Sequence, residues 1–132
     1  MAYWLTPPDI YEDLNREFRF DFDPCPFPRP DTYNGLDVDW GKVNYVNPPF
    51  RTKDSYKGLG PTAFVRKAIQ EKEKGNTSVI LIPTQSYVNL LLDAGAELRS
   101  MGRVRWLDTE TKEPWKSPVA ITAFVLRGKS LD

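Results

Sequence analysis

Val79-Ile80-Leu81-Ile82 is a short, uninterrupted apolar run that Pro83 brings to a stop. Without polar alternation, such a run has the pattern of a central strand buried on both faces. The flanking segments read as helices. Upstream, Pro61 opens a helix with Phe64, Val65, Ala68 and Ile69 on one face; its tail, Glu71-Lys72-Glu73-Lys74, reads as a solvated end stopped by Gly75. Downstream, Tyr87, Leu90, Leu91, Ala94, Leu98 and Met101 mark a helix closed by Gly102. Further out, Val43 to Val46 is a strand, and Phe20 and Phe22 alternate with Asp21 and Asp23 in another that Pro24 ends. Val104 and Trp106 alternate with Arg103 and Arg105, and a polar turn over 108–118 leads to the apolar strand Ala120 to Leu126. Near the start, Thr6 reads as N-cap and Pro7 as first helical residue of a helix over 8–17, with Ile10, Leu14 and Phe18 as its stripe. This order predicts one α/β domain over 1–132: a sheet of about five strands, mostly parallel with an antiparallel C-terminal strand, and helices on its faces.

Composition narrows the chemistry. The chain of 132 residues contains no histidine, which excludes Ser-His-Asp and Cys-His catalysis and any imidazole ligand. One cysteine, Cys25, excludes an internal disulfide framework and a Cys-rich zinc cluster and suggests a reducing compartment. No stretch approaches the ~18–20 consecutive apolar residues of a membrane span. The opening MAYWLTPPDI lacks the basic and apolar regions of a signal peptide, so a cytoplasmic location is expected. The formal net charge of zero hides an asymmetry: residues 1–41 carry nine acids against three bases, and residues 42–74 carry eight bases against three acids. Such blocks suit a cationic ligand seated beside an anionic polymer, and equally suit plain solvated faces.

In an α/β sheet, ligands bind beyond the carboxyl ends of the strands. Two unusual segments fall there: Asp23-Pro24-Cys25 and Asn47-Pro48-Pro49-Phe50. The two prolines of the latter fix φ near −65° and remove two donors, leaving a rigid turn. Asn47 supplies a side-chain acceptor and Phe50 an aromatic plane, a set that suits a planar substrate bearing an NH₂ group. Asn47 Oδ1 and a main-chain carbonyl can each accept one amine hydrogen while Phe50 stacks on the ring. The same residues, in isolation, also make an ordinary tight turn.

With its context, the pattern resembles the amino-methyltransferases of the class I S-adenosylmethionine-dependent fold, whose motif is [DNS]-P-P-[YFW]. It is most similar to the small phage-type DNA adenine-N6 methyltransferases, the Dam-like family of phages. The resemblance covers most of the chain: Trp4-x-Thr6-Pro7-Pro8, Glu17-Phe18-x-Phe20-x-Phe22-Asp23-Pro24-Cys25, Asn34-Gly35-Leu36 with Asp39-Trp40, Val46-Asn47-Pro48-Pro49-Phe50, Leu81-Ile82-Pro83 and Gly102-Arg103-Val104-x-Trp106. It implies a Rossmann-like sheet and S-adenosylmethionine as cofactor, with no metal. The cofactor site would lie around Trp4, Thr6, Pro7, Asp23, Pro24 and Cys25, with Asn34 to Leu36 as an adenine-side wall. Asn47, Pro48, Pro49 and Phe50 would form the amine site. Three of these residues also have plain readings: Asp23 as a turn cap before Pro24, Cys25 as a small packing residue, Trp4 as an anchor for the first helix. The segment after the first strand departs from the family in having no glycine-rich turn, and Asp37 and Asp39 are both left open as the acid for the ribose.

The loop after the motif brings Arg51, Lys53, Tyr56 and Lys57 together, bases for phosphates and a ring for stacking, or else a plain surface loop. Arg103 and Arg105 are open between DNA contact and solvated strand positions. The function expected is therefore methylation of the exocyclic amine of adenine in DNA, in a bacterial host cell if the chain is phage-encoded. The alternatives are methylation of another amine or amide, such as protein glutamine or an RNA base, and a non-catalytic nucleic-acid or partner-binding module that retains the fold.

Overall fold

The computed structural model describes residues 5–28, 32–48, 60–117 and 119–130. Among them the elements run α1 (Pro8–Phe18), β1 (Val43–Val46), α2 (Pro61–Glu73), β2 (Thr77–Pro83), α3 (Thr84–Asp93), β3 (Glu97–Gly102), β4 (Arg105–Leu107), β5 (Pro114–Lys116) and β6 (Ile121–Leu126). The main sheet has the order β1-β2-β6-β3, and β4 and β5 form a separate antiparallel hairpin. β1 and β2 are parallel, β6 is antiparallel to β2, and β3 is antiparallel to β6. Hence β1, β2 and β3 all run one way, and β6 runs against them between β2 and β3.

The apolar run at 79–82 is central. Val79, Ile80, Leu81 and Ile82 are each 0% exposed. Their alternation sorts the core into two halves. Val79 and Leu81 face Tyr45, Ala123 and Val125, covered by Leu14 of α1 and Trp106 of β4. Ile80 and Ile82 face Val46, Phe124 and Leu126, covered by Phe64, Val65 and Ala68 of α2 and Leu91 of α3. Each such full burial contributes roughly 1.5–3 kcal/mol, so this strand is the main anchor of the layers. No helix among the described residues is long and apolar enough to cross a membrane.

The α/β class matches expectation, but the sheet differs from the one expected. Among the described residues it has four strands rather than about five, and one of its three ladders is parallel. The strand expected at Phe20 to Asp23 is a single parallel bridge, Phe22 to Asn44, with Tyr45 N donating to Phe22 O at 3.0 Å. Phe20 and Phe22 pack into different halves of the core, so the chain does not keep a strand's alternation there. The third helix ends at Asp93 instead of running to Met101. Gly95 takes φ +88°, and Gly95 N and Ala96 N donate back to Leu92 O and Leu91 O, a glycine-based helix stop that overrides the apolar spacing. Residues 97–102 become the edge strand β3, where Leu98 is 41% exposed. The sequence order also suggests that the strand at 104–106 pairs antiparallel with the C-terminal strand through the 108–118 turn; the C-terminal strand pairs with β2 and β3, and β4 pairs with β5, which lies within that turn.

Two smaller expectations also change. The N-cap of α1 is Pro7, with Pro8 at the first helical position, so Thr6 does not cap the helix. Glu71, expected in a solvated tail, is 2% exposed. Its carboxylate accepts from Lys74 Nζ at 3.0 Å and Asn76 Nδ2 at 2.9 Å. Burial pushes its pKa up, but these two bonds and the charges of Lys74 and Lys67 outweigh that and leave it below the ordinary value.

Candidate functional site

Strand β1 carries its chain from the amino end of the sheet to Asn47 and Pro48, just beyond its carboxyl end. Both are buried, Asn47 at 1% exposure. An amide this deep requires hydrogen-bond partners. One is Thr6: Asn47 Nδ2 donates to Thr6 Oγ1 at 3.2 Å. Thr6 Oγ1 is in turn hydrogen-bonded to the hydroxyl of Tyr45. Because Pro7 takes over the N-cap position, the Thr6 hydroxyl can serve this chain instead of the helix. In this arrangement the amide nitrogen of Asn47 faces Thr6, and Oδ1 points away from it. Burial pushes the Tyr45 phenol far above the ordinary tyrosine range; the Thr6 bond lowers it somewhat and the charge of Asp23 raises it. Tyr45 is therefore a neutral hydroxyl at any working pH.

Asp23 lies next to this chain. The parallel bridge at Phe22 and Asn44 brings the two segments out at the same end, and the Asp23 charge acts on Tyr45 and on Tyr11. Tyr11 ionises above its usual range, first through burial and then through Asp23. Asp23 Oδ1 also accepts from Cys25 N at 2.8 Å, the turn-capping bond anticipated for an Asp before Pro24. Half-buried Asp23 thus combines a structural bond with a charge facing two tyrosines.

Pro7, Pro24 and Cys25 are buried close to these groups, Cys25 at 2% exposure within the core. The loop at 34–36 packs tightly on the turn: a Cβ on Gly35 would collide with the Pro24 carbonyl, and Leu36 packs against the same core half as Cys25. The side chain of Asn34 is committed within its own loop, Oδ1 accepting from Leu36 N at 2.9 Å and Nδ2 donating to Asp37 Oδ2 at 3.0 Å. Asp37 and Asp39 are both exposed. The structure therefore joins Thr6 to Asn47 by a hydrogen bond, with Pro48 next in the chain, and links Asp23 and Cys25 to them through Tyr45, while Asn34 contributes its loop rather than its amide. Trp4, Pro49, Phe50, Arg51, Lys53, Tyr56 and Lys57 lie outside the described residues.

Sequence reasoning missed Tyr45 and Tyr11. A signal for Tyr45 was present: it stands two residues before Asn47, and period-two alternation puts such residues on one side of a strand. Tyr11 stacks edge-on against Tyr45 with ring centroids 4.9 Å apart, so α1 also buttresses the site. Among the described residues no group of three or more His, Cys, Asp or Glu is arranged to hold a metal ion. No family model matches this chain, and neither a curated protein nor a solved structure does.

Proposed function

We propose that this chain is an S-adenosylmethionine-dependent methyltransferase of class I type that acts on the exocyclic amine of adenine in DNA. The observation that carries the reading is the buried Asn47 at the carboxyl end of β1, its amide bonded to Thr6 and through it to Tyr45, with the charge of Asp23 acting on the same tyrosine. The strand directions support it as well, since β1, β2 and β3 run together and the C-terminal strand runs against them.

The donor set suits a cationic, hydroxyl-bearing cofactor: a hydroxyl at Thr6, bonded to Asn47 and Tyr45, and a carboxylate at Asp23, whose charge reaches the same tyrosine. Cys25, 2% exposed, fits as a wall and not as a donor. S-adenosylmethionine supplies an electrophilic methyl group when bound. Asp23 would hold its positive charge, an attraction that strengthens where water is partly excluded. Asn47 would accept one hydrogen of the adenine amine and a main-chain carbonyl near Pro48 the other, turning the nitrogen lone pair out of conjugation. Phe50 would stack on the ring. No histidine base is required, because the amine's proton can leave after transfer.

The test incubates the purified protein with S-adenosylmethionine and adenine-containing DNA and measures N6-methyladenine by mass spectrometry of the digested nucleosides. Its appearance with wild-type protein and its loss in Asn47→Ala are expected. Calorimetry showing no cofactor binding, together with no methylated adenine, would sink the proposal.

A further inference from the structure

The β4–β5 hairpin carries an arrangement that folding alone disfavours. Arg105 and Lys116 stand directly opposite each other in register, one step beyond the Trp106–Trp115 pair. Like charges facing across an antiparallel pair are destabilising. Neither forms an ion pair with any described acid, and both are exposed. Trp106 is fully buried in the core half that contains Tyr45, and Trp115 packs against it. One face of the hairpin is therefore anchored and the opposite face presents two unneutralised cations. The hairpin's acids lie toward its turn, where the Asp108 carboxylate accepts from Glu110 N and Thr111 N at 2.9 and 3.0 Å.

Its position is as informative as its charge. Leu107 and Leu5 exchange both main-chain bonds, Leu107 N to Leu5 O at 2.9 Å and Leu5 N to Leu107 O at 3.3 Å. Leu5 immediately precedes Thr6, the residue that orients Asn47. At the turn, Lys112 Nζ sits 5.3 Å over the ring of Phe27, just after the Asp23-Pro24-Cys25 segment. The hairpin is thus tied to the chain beside Thr6 and to the chain just after Cys25, two of the segments that build the candidate site.

We propose that Arg105 and Lys116 form a phosphate-backbone contact for the DNA substrate, an inference that rests on the nucleic-acid reading above. Two adjacent cations on a rigid, Trp-anchored ribbon would grip consecutive phosphates and hold the strand in register over the amine site. Bound phosphate would also relieve the repulsion between the two side chains.

The experiment measures binding of a fluorescein-labelled, adenine-containing duplex by anisotropy across a salt series, with melting temperature as the folding control. Arg105→Gln/Lys116→Gln should lower affinity about tenfold or more. It should also reduce the slope of log K against log salt by about 1.8, since each phosphate neutralised contributes about 0.9. Lys116→Glu, which sets an acid opposite Arg105, should keep or raise the melting temperature while weakening DNA binding. Lys129→Gln, paired with Glu73 beside the first residues of β2, should leave binding unchanged. An unaltered slope in both hairpin variants overturns the proposal even if methylation is observed, as does a wild-type protein that binds no DNA. Loss of binding in the hairpin variants of a protein that transfers no methyl group upholds the contact and removes the methyltransferase reading instead.

Discussion

Two asparagines three residues apart in the same short segment, Asn44 and Asn47, are equally buried and differently held. Asn44 is committed to main chain: its Oδ1 accepts from Gly41 N at 2.8 Å, and its Nδ2 donates to Gly41 O and Thr77 O at 3.0 Å each. It closes the turn into β1 and ties β1 to the start of β2. Asn47 is oriented through side chains, by Thr6 and, behind it, Tyr45. A side chain bonded to backbone stabilises a path of the chain. One bonded to a hydroxyl relay keeps a particular orientation at a strand's carboxyl end, which is what a ligand-facing amide requires. The first belongs to the fold and the second to the candidate site.

The sharpest break in this comparison would come from truncating each amide. Asn47→Ala should cut methyl transfer at least ~100-fold, about 3 kcal/mol of transition-state stabilisation, while cofactor affinity and melting temperature change little. Asn44→Ala should do the reverse. It strands Gly41 N, Gly41 O and Thr77 O at half-buried positions, and should cost about 1–3 kcal/mol of folding stability while the folded fraction keeps its activity. Thermal denaturation and methylation rates on both variants decide it; equal stability losses would erase the distinction.

The amino end of the sheet offers a second test, through Glu71. Its carboxylate is held by Lys74 and Asn76 and titrates below the ordinary glutamate value, so its contribution is present above about pH 4.5 and is lost as pH falls through the lower folded-state value. Glu71→Gln should therefore lower stability near neutrality, by about 1.5–3 kcal/mol for bonds to a charged group, and this deficit should shrink below pH 4 or so. Melting temperatures of both proteins across that range measure it. Methyl transfer at neutral pH should not follow the stability loss.

Asp23 tests whether the other end is electrostatic. Asp23→Asn keeps an oxygen for the bond from Cys25 N and removes the charge felt by Tyr11 and Tyr45. Cofactor affinity by calorimetry should fall about tenfold, or 1.4 kcal/mol, with melting temperature nearly constant. A sharp stability loss with unchanged affinity would make Asp23 a turn cap alone.

What the sequence disclosed follows the same division. The buried strand at 79–82, the start of α2 at Pro61 and the stop at Gly75 were legible because each is a local property of apolar run, proline or glycine. The end of α3 was also local, but Leu98 and Met101 continued its apolar spacing and concealed Gly95. Strand partners were not legible, because the insertion of β6 between β2 and β3 depends on how both faces are covered. Asn47 stood out through its prolines. Tyr45 did not, because a tyrosine in a short apolar strand looks like packing until Thr6 is seen to reach it from 39 residues away. Glu71 was hidden by its charged neighbours in sequence, although only the folded chain decides which member of such a run turns inward.

Tyr45→Phe probes that concealed link and should have the smallest effect of the set. The phenyl ring keeps the edge-on contact with Tyr11 and the tilted one with Phe20, whose centroid lies 5.2 Å away, so packing is preserved. Only the hydroxyl partner of Thr6 is removed, at about 1 kcal/mol or less of stability. Thr6 then holds Asn47 with one fewer restraint, and methyl transfer should drop about fivefold, far less than in Asn47→Ala. The loss should fall on kcat more than on KM, because the relay orients the amide without touching the ligand. It should also be constant from pH 6 to 9, since burial keeps the Tyr45 phenol protonated throughout that range. Thr6→Val, which removes the middle of the relay, should exceed Tyr45→Phe, and the double variant should be no worse than Thr6→Val alone. Additive losses would mean that Tyr45 and Thr6 act on Asn47 independently, and the side-chain chain that separates Asn47 from Asn44 would not exist.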